Sequence, residues 1–471
     1  MRSIPCLPKQ GVFGITLCFF ACLTWTVSPL AQAQETEIDT AQSATASQST
    51  TAPQSATESQ SNATSLPSPL TLDAAMQAVD ETHPDLIVAQ ARVKLSNAKL
   101  LQADSEYGFR AFILGEARYI QPSRIALDQS QNDSRVSLVA QKRLYDFGRT
   151  ANAEDAALAD IESSEWLYKN ALNQYRISVM ERFFDVLLAD LQYIRDNEAM
   201  SIAFIDYDRT QMRNELGQRS DIELYEAQSV YQKVRRQLYN SRSMQRNTRS
   251  QLANVLNRPG DLVADIMEPK LPDIDRPIPE VEPLQQKALA DNPVLIALRA
   301  QVEAAEKRVA AARAGSRPTL EGEALIAEQN RIAGSYNEWE ASLILNVPLL
   351  SGGKTKSNVA QQQAELIRLK AELRKAEMDV QQAVLDQLQI LDTLRIEREE
   401  MKALLDYRDL YLDRSRALYE MEVKTDLGDS MVEVSEARLK VARTKFNTAL
   451  AWARLEALLG NVVYPVEEKK Q

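Results

Sequence analysis

Four stretches of this chain contain neither glycine nor proline, and they are too long for an ordinary globular domain. They cover 149–216, 218–257, 354–427 and 429–459, or 68, 40, 74 and 31 residues. A helix of about 68 residues extends on the order of 100 Å at 1.5 Å per residue. Globular helices average about 11–12 residues, so such elements need a special architecture. Val380, Val384, Leu388, Leu391 and Leu394 recur at spacings of 4, 4, 3 and 3, which draws one apolar stripe along a helix. Glu, Arg, Lys and Gln fill the other faces. Long helices with so narrow a stripe pack side by side, as coiled coils or as staves of a helical barrel.

The long stretches come in two sets because the chain is duplicated. LDAAMQAVDETHPDL at 72–86 returns about 209 residues later as LQQKALADNPVL at 284–295, with Pro84 answering Pro293. Each copy then reaches a glycine-marked exit, Asp146-Phe147-Gly148-Arg149 and Ser351-Gly352-Gly353-Lys354. Each runs through a long stretch, turns near Arg219-Ser220-Asp221 or Lys424-Thr425-Asp426, and returns. A long internal period of this kind decides the fold before any local motif does. The boundaries that follow are a first repeat at 69–264, a Pro-rich connection at 265–282, a second repeat at 283–460 and a short tail at 461–471.

Ahead of the exits the period changes from helical to two. Ala341, Leu343, Leu345, Val347 and Leu349 alternate with Glu340, Ser342, Ile344, Asn346 and Pro348. Leu320, Gly322, Ala324 and Ile326 alternate with Glu321, Glu323, Leu325 and Ala327, and 109–120 and 135–145 are the less regular counterparts. Strands of about 9–11 residues with one apolar face have the length and pattern of membrane barrel staves. The polar loops between them, 122–134 and 331–337, suit the outside of a barrel.

Arg2 and Lys9 precede an apolar run from Gly11 to Val27 and an Ala31-Gln32-Ala33 site. Residues 1–33 therefore read as a secretory signal peptide. All three cysteines, Cys6, Cys18 and Cys22, fall inside it, so the exported chain has no disulfide and no thiolate metal site. Cys22 has Phe19 three residues before it and Cys18 follows Leu17, which argues against lipidation. Residues 34–68 are Ser, Thr, Gln, Ala and Asn with few large apolar side chains, the composition of a disordered tether. The net charge of −11 deepens to −13 once Arg2 and Lys9 are removed. An acidic exported chain is a poor nucleic-acid binder. No later stretch reaches the roughly 18 apolar residues of a spanning helix, so a membrane crossing after processing would use strands. Four strands are too few to enclose a lumen, and an open sheet edge is not tolerated in lipid. Several chains would have to pool their strands.

These features resemble the TolC-type outer membrane efflux proteins. The resemblance runs from about Pro69 to Gly460. It rests on Leu70-Thr71-Leu72 with Ala74-Ala75, His83-Pro84-Asp85-Leu86, Asn292-Pro293-Val294-Leu295, the two exits, Leu216-Gly217 with Glu223 and Ala227-Gln228, and the closing Leu455-Glu456-Ala457-Leu458-Leu459-Gly460. It implies a mainly α chain with a membrane β-barrel, assembled as a homotrimer. Twelve strands would form one outer-membrane barrel, and twelve helices would continue it as a tunnel through the periplasm. The tips would dock a periplasmic adaptor belonging to an inner-membrane transporter. One departure stands out: the second tip has Glu422 where the first has Gly217, with Gly428 six residues further on.

The lone histidine, His83, precedes a proline and reads as a helix-boundary residue, since the second copy has Asn292 there. No zinc-protease, nucleotide-loop, nucleophile-elbow or cysteine motif is present. The reading is therefore not an enzyme, with no cofactor and no metal, and transport would be powered by a partner. The tip carboxylates Asp221, Glu223, Asp426 and Asp429 are gate candidates, because converging chains would turn an inward carboxylate into a ring of like charge. Asp221 and Asp426 read more readily as the starts of the returning helices, where a carboxylate suits the N-terminal dipole, whereas for Asp429 cap and gate weigh evenly. Gly217, Gln218, Arg219, Met421, Glu422, Val423 and Lys424 are the adaptor-contact candidates. Trp339, opening a strand, is the candidate for the aromatic girdle. Lys233, Arg235, Arg236, Arg242, Arg246 and Arg249 read as a solvated helix face pairing with acids such as Glu397, Glu399 and Glu400. The functional expectation is an outer-membrane export duct for efflux or type I secretion, passive and opened at its tip. A soluble periplasmic coiled-coil adaptor is the runner-up.

Overall fold

The computed structural model describes residues 67–79, 82–271, 274–331, 337–423 and 426–464. The leader at 1–33, nearly all of the tether and the tip residues Lys424 and Thr425 lie outside them. The elements come as one series written twice. Helices α1 (Leu72–Gln77) and α2 (Pro84–Asp104) lead to strands β1 (Arg110–Glu116) and β2 (Arg135–Tyr145), then to α3 (Arg149–Glu215) and α4 (Asp221–Val255). Helices α5 (Val281–Asp291) and α6 (Pro293–Ala314) lead to β3 (Thr319–Gln329) and β4 (Trp339–Asn346), then to α7 (Lys354–Glu420) and α8 (Leu427–Leu458). Both α3 and α7 contain 67 residues, a length of about 100 Å. β1 is shorter than the alternation at 109–120 suggests. Arg118 turns toward the buried Asp133, whose N–H donates to the Arg118 carbonyl at 2.8 Å, and this closes the hairpin early.

The duplication is also written in the backbone. Left-handed pairs precede both long helices, Phe147-Gly148 and Gly352-Gly353. Left-handed residues also end them, with φ +68° at Gly217 and +56° at Glu422. The returning helices end alike, at Asn257 (+56°) and Gly460 (+74°). At all four ends the following N–H donates back to the fifth carbonyl before it: Gln218 to Arg213 at 2.8 Å, Val423 to Leu418 at 3.0 Å, Arg258 to Ala253 at 2.8 Å and Asn461 to Glu456 at 3.0 Å. This closure satisfies carbonyls that a helix end would otherwise orphan. At the starts, His83 Nδ1 accepts from the Asp85 N–H and Asn292 Oδ1 from the Val294 N–H, each just before a helix-opening proline. The histidine is a cap.

Within the chain the helices stand as a wall. α3 packs with α2 and α4 on one side and with α6 and α8 on the other, and α7 packs against α6 and α8. α4 ends where α2 begins, with Asn257 Nδ2 donating to Thr82 Oγ1 at 2.9 Å. α8 ends where α6 begins, with Asn292 Nδ2 donating to the Leu458 carbonyl at 3.0 Å. Two short helices therefore stack into one stave, giving the order α2/α4, α3, α6/α8, α7. The cores lie at these joints. Phe184 stacks on Phe446 at 4.6 Å among Leu72, Met76, Leu86, Phe183 and Leu252. The Val380–Leu394 stripe buries against Leu295, Trp452 and Leu455. The 265–282 connection joins the first core at its start, where Ile266 bridges to Leu70.

Asp146 anchors the passage from strand to helix. It is fully buried and accepts from the Tyr107 hydroxyl at 2.7 Å, the Thr150 N–H at 2.9 Å and the Arg149 N–H at 3.1 Å. Burial alone would raise its carboxyl, but the hydrogen bonds from Thr150, Tyr107 and Arg149 outweigh burial and hold it below the usual aspartate value.

Candidate functional site

The four strands form one antiparallel sheet in the order β1-β2-β3-β4. The register places one row of Ile113, Leu138, Ile326 and Trp339 across the sheet, and the next row on that face is Ala111, Ala140, Ala324 and Ala341. Gly322 and Leu343 continue the same face beside Lys142, and Val136 and Glu328 end it at the loops. The charges Lys142 and Glu328 thus bracket a band without any charge. Within that band Ile113 is 73% exposed, Leu343 73% and Trp339 71%. Large side chains this exposed on one contiguous face mark an apolar partner. The opposite face carries charged and amide groups among apolar ones: Gln141 Nε2 donates to Glu323 at 2.7 Å, Arg135 pairs with Glu116 at 2.9 Å and Arg143 lies 3.5 Å from Glu321, with a row of Phe112, Val139 and Leu325 between them. Alternation in the sequence has therefore become two chemically distinct surfaces.

At the far end, about 100 Å of helix away, two turns form the tips. In the first, Ser220 caps α4 by accepting the Glu223 N–H at 3.3 Å, while the Glu223 carboxylate accepts the Ser220 N–H at 2.9 Å. This capping box is completed by Arg219, which pairs with Glu223. The Ser220 N–H and the Arg219 guanidinium hold the Glu223 carboxyl below its usual value. Asp221 is the first residue of α4 and accepts from Asn214 Nδ2 at 3.0 Å. Both first-tip carboxylates are thus committed to closing the turn.

The second tip is built differently. Asp426 stands at the cap position of α8 but makes no cap bond to it, and accepts instead from the Tyr411 hydroxyl at 3.1 Å. Asp429 is exposed and has no ion pair or hydrogen bond among the described residues. Met421 and Val423 are 62% and 69% exposed. Glu422 occupies the left-handed position filled by Gly217 in the first tip. Gly428 is no turn glycine, since a Cβ there would lie 3.0 Å from Ile202; it lets α8 approach α3. A non-glycine left-handed residue is disfavoured by about 1–2 kcal/mol. Glu422→Gly is expected to stabilise this turn by about 1 kcal/mol, read as slower amide exchange at Ser430 and Met431. Gly217→Glu should loosen the first tip by a similar amount.

Back from the first tip, α3 is tied to α8, where Arg195 pairs with Glu436 and Ser435 Oγ donates to Glu198 at 2.5 Å. Partners some 240 residues apart give no sequence signal of such ties. The expected pairing of the basic stretch with Glu397, Glu399 and Glu400 does not form. Arg249 binds Asp190 at 2.7 Å and Glu397 accepts from Thr444 at 2.9 Å. α4 and α7 lie on opposite edges of the wall, so their charges cannot meet within one chain.

Residues 284–461 match the family of outer membrane efflux proteins. No curated protein matches the chain. Among solved structures, the outer membrane protein VceC of Vibrio cholerae is 17% identical, with a TM-score of 0.65, over 83% of this chain and 96% of that one. The CmeC outer membrane channel of Campylobacter jejuni is 14% identical at a TM-score of 0.69, over 84% and 87%. The open-state MtrE outer membrane channel of Neisseria gonorrhoeae is 18% identical at 0.60, over 83% and 89%. At these identities the likeness is one of fold, and it extends across both repeats.

Proposed function

We propose that this chain, whose residues 284–461 match the outer membrane efflux proteins, is a channel of that kind and forms the outer-membrane exit duct of an efflux or type I secretion system. The observation that carries this reading is the two-faced sheet. Its charge-free exposed band suits lipid, the charged and amide groups of its other face suit a water-filled lumen, and β1 and β4 leave open edges that lipid does not tolerate. Closing those edges requires further copies, and a homotrimer would give a twelve-stranded barrel continued by twelve helical staves. Trp339 would lie in the aromatic girdle at the loop end. A soluble adaptor is not favoured, because it would leave the apolar face in water.

The duct would be passive. Gly217, Gln218 and Arg219 with Met421, Glu422, Val423 and Lys424 would meet a periplasmic adaptor, which an inner-membrane transporter would drive. Asp429 is the strongest gate candidate, since Asp221 and Glu223 are occupied in their turn and Asp426 is engaged by Tyr411. Three exposed Asp429 carboxylates would form a cation-binding ring. In planar bilayers the protein is expected to conduct ions, and Asp429→Ala to raise single-channel conductance and weaken block by multivalent cations. No conductance would reject the duct, and conductance with unchanged block would reject the gate.

A further inference from the structure

We propose that the two lateral edges of the helical wall carry matched charge ladders, and that each ladder binds the opposite edge of a second copy of this chain. The inference rests on the oligomeric duct proposed above and names the surface that would join its copies.

On α7, Asp392, Glu399, Asp406, Asp413 and Glu420 recur every seven residues, and all are exposed. Four residues after each of the first four stands a small or apolar side chain, Ile396, Ala403, Leu410 and Ala417, also exposed. Ile396 is 57% and Leu410 71% exposed. On α4, Arg235 and Arg242 are seven apart, and four residues after Arg235 comes Tyr239, itself seven from Gln232 and fourteen from Tyr225. Arg236 and Arg246 extend the positive face. Asp392 and Asp413 pair with Arg395 and Arg416 of their own helix, but among the described residues none of Arg235, Arg236, Arg242 and Arg246 has an ion pair, and neither do Glu399, Asp406 and Glu420.

A seven-residue repeat keeps two helices in continuous contact, with apolar positions in the seam and charges flanking it. Here one edge supplies acids beside a small-apolar seam and the other supplies arginines beside an aromatic one. α4 and α7 run in opposite directions, away from the tip and toward it, so neighbouring copies placed side by side bring them together antiparallel. Because Arg235 and Arg242 share the seven-residue spacing of the acids, a slide of seven still leaves both opposite acids. A single exposed pair contributes little, but flanking charges fix partner and register, and the same seam recurs at every junction of a closed ring.

The test uses the full-length protein purified in detergent, with assembly read by cross-linking at low ionic strength. Glu399→Lys with Asp406→Lys reverses one edge, Arg235→Glu with Arg242→Glu reverses the other, and a third chain carries all four substitutions. Each edge reversed alone is expected to lower the assembled fraction on the order of tenfold. The fourfold chain should return to within about twofold of the native chain, and salt near ~1 M should narrow the differences. Single reversals that assemble like the native chain, or a fourfold chain no better than either, would overturn the inference. The second result would assign these faces to a different partner. A native chain that is monomeric throughout would instead overturn the duct reading itself.

Discussion

Ala324→Arg is expected to abolish stable assembly of the protein in the outer membrane, while Ser342→Arg leaves it intact. Ala324 sits at the centre of the uncharged band, opposite Ala140 on β2 and Ala341 on β4. An arginine facing lipid near the bilayer midplane costs about 2–4 kcal/mol. In a homo-oligomer it recurs in every copy, so the penalty multiplies against a net stability of only about 5–15 kcal/mol for a typical domain. Ser342 is one position along from Ala341 and pairs with Glu323 on the opposite face. There a guanidinium has water and a carboxylate within reach. Heat-resistant oligomer in isolated outer membranes is the measurement. Equal loss in both variants would mean that the faces have been assigned the wrong solvents, whereas equal tolerance would remove the apolar face from lipid altogether.

The sequence makes the long elements legible because what limits a helix is local. Absence of Gly and Pro from 149 onward extends α3 without a break, and Thr71 caps α1 by accepting the Ala74 N–H at 3.2 Å. The strand faces are legible for the same reason, since a period of two needs no knowledge of the neighbour. Contacts between distant parts leave no such trace. Asp146 resembles a loop aspartate until Tyr107 and Thr150 close on it. Gly428 looks like a displaced tip glycine until Ile202 arrives against it. Glu422 shows that a repeat preserves conformation more tightly than residue type: the Schellman closure at Val423 holds the left-handed geometry with no glycine present. The basic stretch was readable as a charged face, but its neighbours were not, because helix order in the wall depends on packing between repeats.

Gly460→Ala is expected to destabilise the protein by more than about 3 kcal/mol, the size of effect that backbone strain and a buried clash produce together. A Cβ at Gly460 would lie 2.2 Å from the Asp291 carbonyl oxygen and 2.9 Å from its carbon. Backbone cannot rotate aside as a side chain would, so the joint itself must open. The positive φ adds about 1–2 kcal/mol for any residue with a side chain. Gly353→Ala separates the two terms, because Gly353 also has a positive φ yet meets nothing within 4 Å; it should cost only the conformational part. The consequence reaches beyond the joint. Asn292 caps α6 while donating to the Leu458 carbonyl at the end of α8, so displacing Gly460 disturbs the stacking of two helices into one stave. That stave must stay in line with the unbroken α7 beside it, and the Val380–Leu394 stripe is buried against Trp452 and Leu455 near this point. Thermal unfolding of the three proteins distinguishes the cases. A Gly460→Ala midpoint no lower than that of Gly353→Ala would show that the stave tolerates a break there, and that alignment of the wall is set elsewhere.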